Sequence, residues 1–301
     1  EAVTSALLAR LVQPAPSRLF VLCLGAWADD TRNAVRSLPC VYDAIAEPRL
    51  DVVPLLPCAG WTLDAAAKID GLWELIVPVP LGVTAAEACI SLDAEVVRAR
   101  HESSLPELSV RRVDMSAAVA VTAPTATAAA NGDDALSSPP HLQHNGVAVG
   151  GTFDRLHAGH RLLLAVAAIV CRETLYMGVT ADKLLEGKKD ARLIYPYERR
   201  ANEAAAYAKL VRPGLVVETS ALVDPQAPPK AATLSAITAL VISVETEAGG
   251  QRVAQMLREH GIDEPLELVA VGLVGAESQD AAASKLSSSA LRREEARRLD
   301  V

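Results

Sequence analysis

The chain has 301 residues, of which 50% are hydrophobic, 22% are charged and only 3% are aromatic. This composition is typical of a globular protein long enough for two domains, with interiors filled by Ala, Val and Leu. The formal net charge of −8 argues against a nucleic-acid partner, which would require clustered Lys and Arg, but it does not exclude a small phosphorylated ligand.

Residues 1–115 are predicted to form an N-terminal α/β domain. Apolar runs indicate strands, and the stretch between Ala85 and Arg98 indicates a helix. The strands are predicted at Leu19–Leu24, Val52–Leu56 and Leu72–Val77. No phosphate loop, metal cluster or catalytic arrangement is visible in this part, so its role is left unassigned.

A low-complexity linker is predicted over residues 116–145. Its first half is an Ala- and Thr-rich run without periodicity, and Asn131-Gly-Asp-Asp and Ser137-Ser-Pro-Pro140 follow with loop-forming residues. Such a segment buries too little apolar surface to offset the entropy lost on ordering, so we expect it to be mobile.

Residues 146–301 are predicted to form a second domain with alternating strands and helices. One helix is expected over Gly159–Glu173, with its apolar residues three and four positions apart, and another begins at Pro196. The expected strands are Val147–Gly150, Leu175–Val179, Leu215–Val217, Leu240–Ser243 and Leu266–Val271. This order predicts a parallel, doubly wound, Rossmann-like sheet.

The most informative stretch is GGTFDRLHAGH, residues 150–160, which connects the first strand of this domain to its first helix. Ligands of open α/β sheets bind where strands end, and helix N-termini attract anions. Gly150 and Gly151 would let a phosphate chain approach the backbone. His157 and His160 could face one phosphate, and Gly159 would leave room for an adenine or ribose. A zinc site is not favoured, because no third ligand follows in a recognisable pattern.

This string is similar to the H-x-G-H signature of the nucleotidyltransferase superfamily. With Thr-Phe-Asp before the histidines, it resembles the eukaryotic and archaeal type of phosphopantetheine adenylyltransferase. Four later segments resemble that family in the same order. They are Gly178–Asp182 with Lys188 and Lys189, Pro196–Arg200, Val241–Thr246 with Gly249 and Gly250, and Lys285–Arg292. The N-terminal region resembles, more weakly, the region that precedes this domain in eukaryotic members.

The resemblance implies transfer of the adenylyl group of ATP to 4′-phosphopantetheine, with Mg²⁺ accompanying ATP. It implies catalytic roles for Thr152, His157, His160 and Lys188 or Lys189. It also implies contacts with ATP from a second set of residues, and no protein ligand to the metal. That second set is Gly150, Gly151, Phe153, Gly159, Arg200, Ser287, Ser288, Ser289 and Arg292. Asp154 is interpreted as structural, and Asp182 is placed near the adenosine.

Other functions remain open at this point. A different H-x-G-H enzyme would transfer AMP or CMP to nicotinamide mononucleotide or to a phosphorylated alcohol, and a scaffold would bind the nucleotide without catalysis. Gln251 and Arg252 stand where related enzymes often have Asn, which leaves the pantetheine contacts undefined. No kinase phosphate loop is present, so the reaction should stop at dephospho-coenzyme A. Coenzyme A as a feedback ligand and the oligomeric state are left open.

The remaining features of the sequence concern the compartment. The five cysteines show no C-x-x-C spacing, so they are interpreted as buried, reduced thiols. No apolar stretch is long enough to span a bilayer and no signal peptide is visible, so we expect a cytoplasmic protein without a membrane partner. Because the chain begins at Glu1 rather than Met, a targeting segment upstream is left open.

Overall fold

The computed structural model describes most of the chain. The described residues are 6–11, 18–23, 26–44, 51–71, 74–79, 89–107, 109–114, 143–224, 229, 233–262, 265–272 and 288–299. The predicted linker up to residue 142 and Ser287 lie outside these ranges. Two compact units are present, one of Glu1–Ser37 with Pro54–Leu142 and the other of Leu38–Val53 with Gln143–Val301. Among the described residues, no helix combines the length and the apolar character needed to cross a membrane.

The N-terminal strands form a mixed sheet in the order β3-β2-β1-β4-β5. The central strand β1 is antiparallel to both of its neighbours, whereas β4 and β5 run parallel. The strands are β1 (Ala6–Leu11), β2 (Arg18–Cys23), β3 (Asp51–Leu55), β4 (Glu74–Val79) and β5 (Ser109–Asp114), and the helices are α1 (Ala26–Asp29), α2 (Thr31–Ala44), α3 (Leu63–Ala67) and α4 (Cys89–Glu102). The predicted strands of this region are confirmed as β2, β3 and β4, and β1 and β5 were not predicted.

The C-terminal strands form a parallel sheet in the order β10-β9-β6-β7-β8, which confirms the predicted doubly wound fold. Each pair of sequential neighbours, β6 to β7, β7 to β8 and β9 to β10, is parallel and therefore needs a crossover. The elements are β6 (His144–Gly151), α5 (Ala158–Val170), β7 (Cys171–Thr180), α6 (Tyr197–Val211), β8 (Val216–Leu222), β9 (Ile237–Ser243), α7 (Glu247–Glu259), β10 (Glu267–Val271) and α8 (Ser288–Leu299).

Helix α5 is the centre of this core. Every residue from Leu162 to Val170 is buried, so the helix is covered on all sides and not along one apolar stripe alone. The helix ends three residues earlier than predicted, because Cys171 is already extended and pairs with His144 as the first residue of β7. Burial of the whole helix fixes the position of its N-terminal turn, where the two motif histidines lie.

Candidate active site

The loop between β6 and α5 follows a constrained path at the carboxyl end of the sheet. Phe153 and Arg155 both adopt left-handed backbone conformations, with φ of 52° and 48°, and the Phe153 side chain is fully buried. A Cβ atom on Gly151 would lie 3.1 Å from the Phe153 ring, so a side chain there would press on that ring. A Cβ on Gly150 would come no closer than 3.8 Å to the protein, which leaves this backbone open to a ligand.

The two motif histidines stack on each other at the start of α5. The ring centroids of His157 and His160 lie 4.0 Å apart at an interplanar angle of 29°, and the edge of Phe153 packs against His160 at 5.5 Å. Each Nδ1 atom is buried and has no hydrogen-bond partner among the described residues. A Cβ on Gly159 would lie 3.2 Å from the His157 ring, so this glycine makes room for the imidazole.

Burial keeps both imidazoles neutral at physiological pH. Desolvation lowers the pKa of His157 to about 4, and the cation of Arg161 adds to the effect. Desolvation also lowers the pKa of His160 to about 3, with smaller contributions from His157, Arg161 and Lys188. A neutral imidazole has one N–H donor and one acceptor, so each ring can donate one hydrogen bond to a phosphate oxygen.

Arg161, the residue after His160, is held by a carboxylate from a distant part of the sequence. Its Nε lies 2.9 Å from Oδ1 of Asp51, and both side chains are nearly buried. In the same unit, the hydroxyl of Tyr207 on α6 donates to the carbonyl of Val52 at 2.7 Å and contacts the hydroxyl of Tyr42. The segment Leu38–Val53 is therefore bonded to both α5 and α6.

Lys188 is the lysine that the structure brings to the loop. Its Nζ donates to the Thr152 hydroxyl at 3.2 Å, and partial desolvation together with the cations of Arg292 and Arg200 lowers its pKa. Both Lys188 and the neighbouring Lys189 are exposed, but Lys189 makes no such contact among the described residues. Because the Thr152 oxygen accepts from Lys188, its hydroxyl proton remains available for a ligand.

Arg200 is fully buried and contacts the backbone that surrounds the site. Its guanidinium donates to the carbonyls of Thr152 at 2.6 Å and Thr180 at 2.7 Å, while Nε donates to the carbonyl of Tyr195 at 2.7 Å. It also pairs with Asp182 at 2.7 Å, and that carboxylate accepts from the backbone N–H of Tyr197. Arg200 and Asp182 thus fix the ends of β6 and β7 relative to the start of α6.

Asp154 joins the loop to helix α8. Its buried carboxylate accepts from Nη1 of Arg292 at 2.7 Å and from the backbone N–H of Tyr195 at 3.1 Å, and its carbonyl accepts from the Ser288 hydroxyl at 2.7 Å. Arg292 also donates to the Ser289 hydroxyl at 3.0 Å, while its buried Nε has no partner among the described residues. The two serine hydroxyls are thereby oriented at the N-terminal end of α8, where the helix dipole favours an anion.

An apolar cavity of about 250 Å³ opens on the sheet beside Gly150. Glycines and aliphatic side chains form most of its wall, and Ser220 and Thr246 add hydroxyl groups. The lining includes Gly150, Gly178, Leu222, Ile242, Gly250 and Val253. Because its wall is mostly apolar, the cavity suits a slender, neutral chain. It begins at the strand end that leads into Thr152.

Comparison with known proteins shows which family this chain is similar to. Residues 148–294 match the family described as cytidylyltransferase-like. A phosphopantetheine adenylyltransferase of Saccharomyces cerevisiae is 38% identical over 146 residues, 48% of this chain and 47% of the yeast protein. That of Pyrococcus abyssi is 32% identical over 148 residues, 48% of this chain and 87% of the archaeal protein. The chain belongs to the phosphopantetheine adenylyltransferase family.

Membership in this family makes the chain a nucleotidyltransferase. A third relative, the phosphopantetheine adenylyltransferase of Thermococcus gammatolerans, is 34% identical over 130 residues, 42% of this chain and 77% of that protein. The match covers about half the length of the yeast relative and most of the archaeal ones. The family region coincides with the parallel sheet and with α8, which together carry the site.

The structure brings most of the predicted site residues to one place. Lys189 is the exception, and Ser287 lies outside the described residues. The set around the β6 carboxyl end is Gly150, Gly151, Thr152, Phe153, His157, Gly159, His160, Lys188, Arg200, Ser288, Ser289 and Arg292. In this set, Phe153 and Arg200 are buried, and their side chains contact the protein around the site.

Sequence reasoning did not find the partners that hold these groups in place. Asp51 and Glu295 lie outside every motif, and Arg155, although it lies within residues 150–160, was given no role; each forms an ion pair near the site. No local signal could identify them, because Arg155 and Glu295 are 140 positions apart in the sequence. Asp154, interpreted as structural, binds both Arg155 and Arg292.

Proposed function

We propose that this nucleotidyltransferase transfers the adenylyl group of ATP to 4′-phosphopantetheine, giving dephospho-coenzyme A and pyrophosphate in coenzyme A biosynthesis. The observation that supports it most directly is the convergence of Thr152, Lys188 and the His157–His160 pair at the end of β6. These groups supply hydroxyl, ammonium and imidazole donors beside the carboxyl end of β6. The names of the matched relatives support the choice of acceptor.

The reaction requires positioning more than acid–base chemistry. A phosphate oxygen of the acceptor attacks the α-phosphorus of ATP, a new P–O bond forms, and the bond to the bridging oxygen breaks so that pyrophosphate leaves with the electron pair. The nucleophile is already an anion, so no general base has to remove a proton. Donors that fit the transition-state charge therefore account for the rate.

Thr152 and Lys188 are suited to the attacking phosphate. The Lys188 ammonium holds the Thr152 oxygen at 3.2 Å and leaves the hydroxyl proton free to point toward the acceptor phosphate. The ammonium has two further N–H donors and a positive charge for the same anion. The pair thus orients the nucleophile and reduces the repulsion between two polyanionic substrates.

The histidine pair and α8 are suited to the ATP phosphates. His157 and His160 are neutral donors at the positive end of the α5 dipole. The first turn of α8 offers backbone N–H groups beside Ser288 and Ser289, with the Arg292 guanidinium behind them. Donors on two helix ends would bind the leaving pyrophosphate as negative charge develops on it.

The apolar cavity is suited to the pantetheine arm. Pantetheine is a thin, uncharged chain with amide groups, and the hydroxyls of Ser220 and Thr246 could pair with those amides. Because the cavity begins at Gly150, a chain within it would direct its phosphate toward Thr152. Coenzyme A carries the same arm, so we expect it to compete for this cavity.

Mg²⁺ that accompanies ATP would be held by the nucleotide more than by the protein. Within the described part of the chain, no cluster of three His, Cys, Asp or Glu side chains could hold a metal ion. The nearest carboxylates, Asp154 and Asp182, are engaged by guanidinium groups. Mg²⁺ commonly keeps several waters and binds through substrate phosphates, which fits such a site.

The test is pyrophosphate release from the full chain with Mg²⁺ and either ATP or CTP. The acceptors are 4′-phosphopantetheine, nicotinamide mononucleotide and none, and a final arm adds coenzyme A. His160→Ala is compared with His260→Ala, because His260 is exposed at the C-terminal cap of α7 and its ring bonds locally to the Met256 carbonyl. We expect turnover with ATP and phosphopantetheine alone, lost in His160→Ala and kept in His260→Ala.

Other outcomes would contradict the proposal in different ways. Turnover with nicotinamide mononucleotide or CTP would keep the nucleotidyltransferase and reject the substrates. Binding of ATP without turnover under any condition would favour the scaffold.

A further inference from the structure

Helix α8 is attached to the active-site loop by polar contacts along one face. Ser288, Arg292 and Glu295 are spaced by four and three residues, so they share a face of the helix. Ser288 and Arg292 bind Asp154, and Glu295 binds the next residue, Arg155. One dipeptide therefore contacts α8 at three positions over its first two turns.

Arg155 makes the outermost of these attachments. Its Nε and Nη2 donate to the same Glu295 oxygen at 2.8 and 2.6 Å, and its Nη1 lies 3.0 Å from both carboxylate oxygens of Asp154. Its own side chain is only 8% exposed and Asp154 is fully buried, whereas Glu295 is 41% exposed and meets it from the solvent side. The guanidinium thus connects the loop to the second turn of α8.

The backbone of Arg155 is strained to allow this contact. Its φ of 48° is unusual for a residue with a side chain, and Phe153 two positions earlier has a φ of 52°. Together these turns direct the Asp154 carboxylate inward and the Arg155 side chain toward α8. Strain of this kind persists where the surroundings enforce it, often at functional sites.

Tyr195 supports Arg155 from the other side. The Arg155 guanidinium lies 4.3 Å from the centre of the Tyr195 ring, and Arg199 lies 3.5 Å from it. Arg199 pairs with Glu203 on its own helix. The two arginines therefore share one aromatic ring, but only Arg155 bonds to α8, which makes Arg199 a matched control.

We propose that Arg155 is a positioning residue that holds the serine-bearing start of α8 in place for the ATP triphosphate. It does not touch the reacting atoms; it acts through Glu295 and the helix. Loss of the guanidinium would let α8 shift, so that Ser288 and Ser289 move relative to the 150–160 loop. The acceptor cavity, which is lined by none of these residues, would be unaffected.

The test measures KM for ATP, KM for the acceptor and kcat in the full chain. We expect Arg155→Met to raise KM for ATP by about 10- to 100-fold, because charge-assisted hydrogen bonds that position the helix are lost. KM for the acceptor should change by less than about twofold. Arg155→Lys, which keeps the charge without the planar fork, should lie between. Arg199→Met should match the wild type in both KM values.

Hydrogen exchange provides a readout without catalysis. Backbone amides in 288–299 should exchange faster in Arg155→Met and Glu295→Gln than in wild type or Arg199→Met. Unchanged exchange together with an unchanged KM for ATP would overturn the proposal, and so would an equal rise in both KM values.

This role rests on the proposed function only in its kinetic readout. If the wild type fails to use phosphopantetheine, the Kd for ATP replaces KM, and the exchange experiment still tests the role of Arg155.

Discussion

The substitution Asp154→Asn probes the network that holds the site together. Asp154 is fully buried and accepts hydrogen bonds from Arg292 at 2.7 Å, from Arg155 at 3.0 Å and from the backbone N–H of Tyr195 at 3.1 Å. Asparagine fills the same volume, but it removes the negative charge and turns one acceptor oxygen into a donor. Two nearly buried guanidinium groups would then share no counter-charge at this position.

The expected loss follows from the cost of a broken buried ion pair. Removing one partner costs about 3–5 kcal/mol, which corresponds to a fall in Tm of roughly 6–20 °C for a unit of this size. Calorimetry can measure this fall in Tm. The transition of the catalytic unit, which is Leu38–Val53 with Gln143–Val301, is identified as the one whose Tm rises when ATP is added. Glu203→Gln, which breaks the exposed pair with Arg199, should change Tm by less than about 2 °C. A shift in Asp154→Asn no larger than in this control would refute the reasoning.

Three further substitutions follow from the same contacts. Lys188→Ala should lower kcat/KM in the pyrophosphate assay by about 100- to 1,000-fold, whereas Lys189→Ala should stay within about twofold, and equal effects would contradict the choice of lysine. Folding lowers the pKa of His157 and His160 from 6.5 to about 4 and 3, so acid protonates these residues in the unfolded chain first. Tm should therefore fall as the pH drops from 6.5 toward 4. Replacing both histidines by Gln should reduce this dependence of Tm on pH. A Cβ on Gly146 would lie 2.2 Å from the Ala236 carbonyl oxygen, so Gly146→Ala should lower Tm sharply. Gly249→Ala, where no atom lies within 4 Å of the added Cβ, should leave Tm equal or raise it, and similar losses in both would show that the close contact is not the cause.

Local patterns were sufficient to predict the parallel sheet, and they predict a site at its edge. Helix α5 follows from its apolar spacing, and the glycines and histidines of residues 150–160 mark the strand-to-helix turn. The predicted helix extended too far, to Glu173, because Cys171-Arg-Glu-Thr continues the helical pattern. Its backbone already belongs to β7 and pairs with β6. The strand β1 was missed because Ala-Leu-Leu-Ala-Arg-Leu is also a good helical sequence, and its antiparallel neighbours β2 and β4 make it a strand.

Long-range charge pairing could not be predicted in this way. Arg200 was expected to contact ATP, and nothing in Pro196–Arg200 indicates that its guanidinium would be enclosed by three backbone carbonyls and Asp182. The carboxylates that bind Arg155 and Arg161 lie far away in the sequence, so only the folded chain brings them together. Motifs predict which groups meet the substrate, whereas the residues that hold those groups in place depend on tertiary structure.

The hydrogen bonds of Leu38–Val53 make the catalytic unit discontinuous along the chain. The helix that carries the histidines obtains its carboxylate counter-charge from Asp51, and α6 bonds to the carbonyl of Val52. Excising everything before residue 143 would therefore remove part of the catalytic unit along with the N-terminal sheet. A substitution of Asp51 should therefore loosen the support of the helix that carries the histidines, although Asp51 lies upstream of the linker and outside every motif.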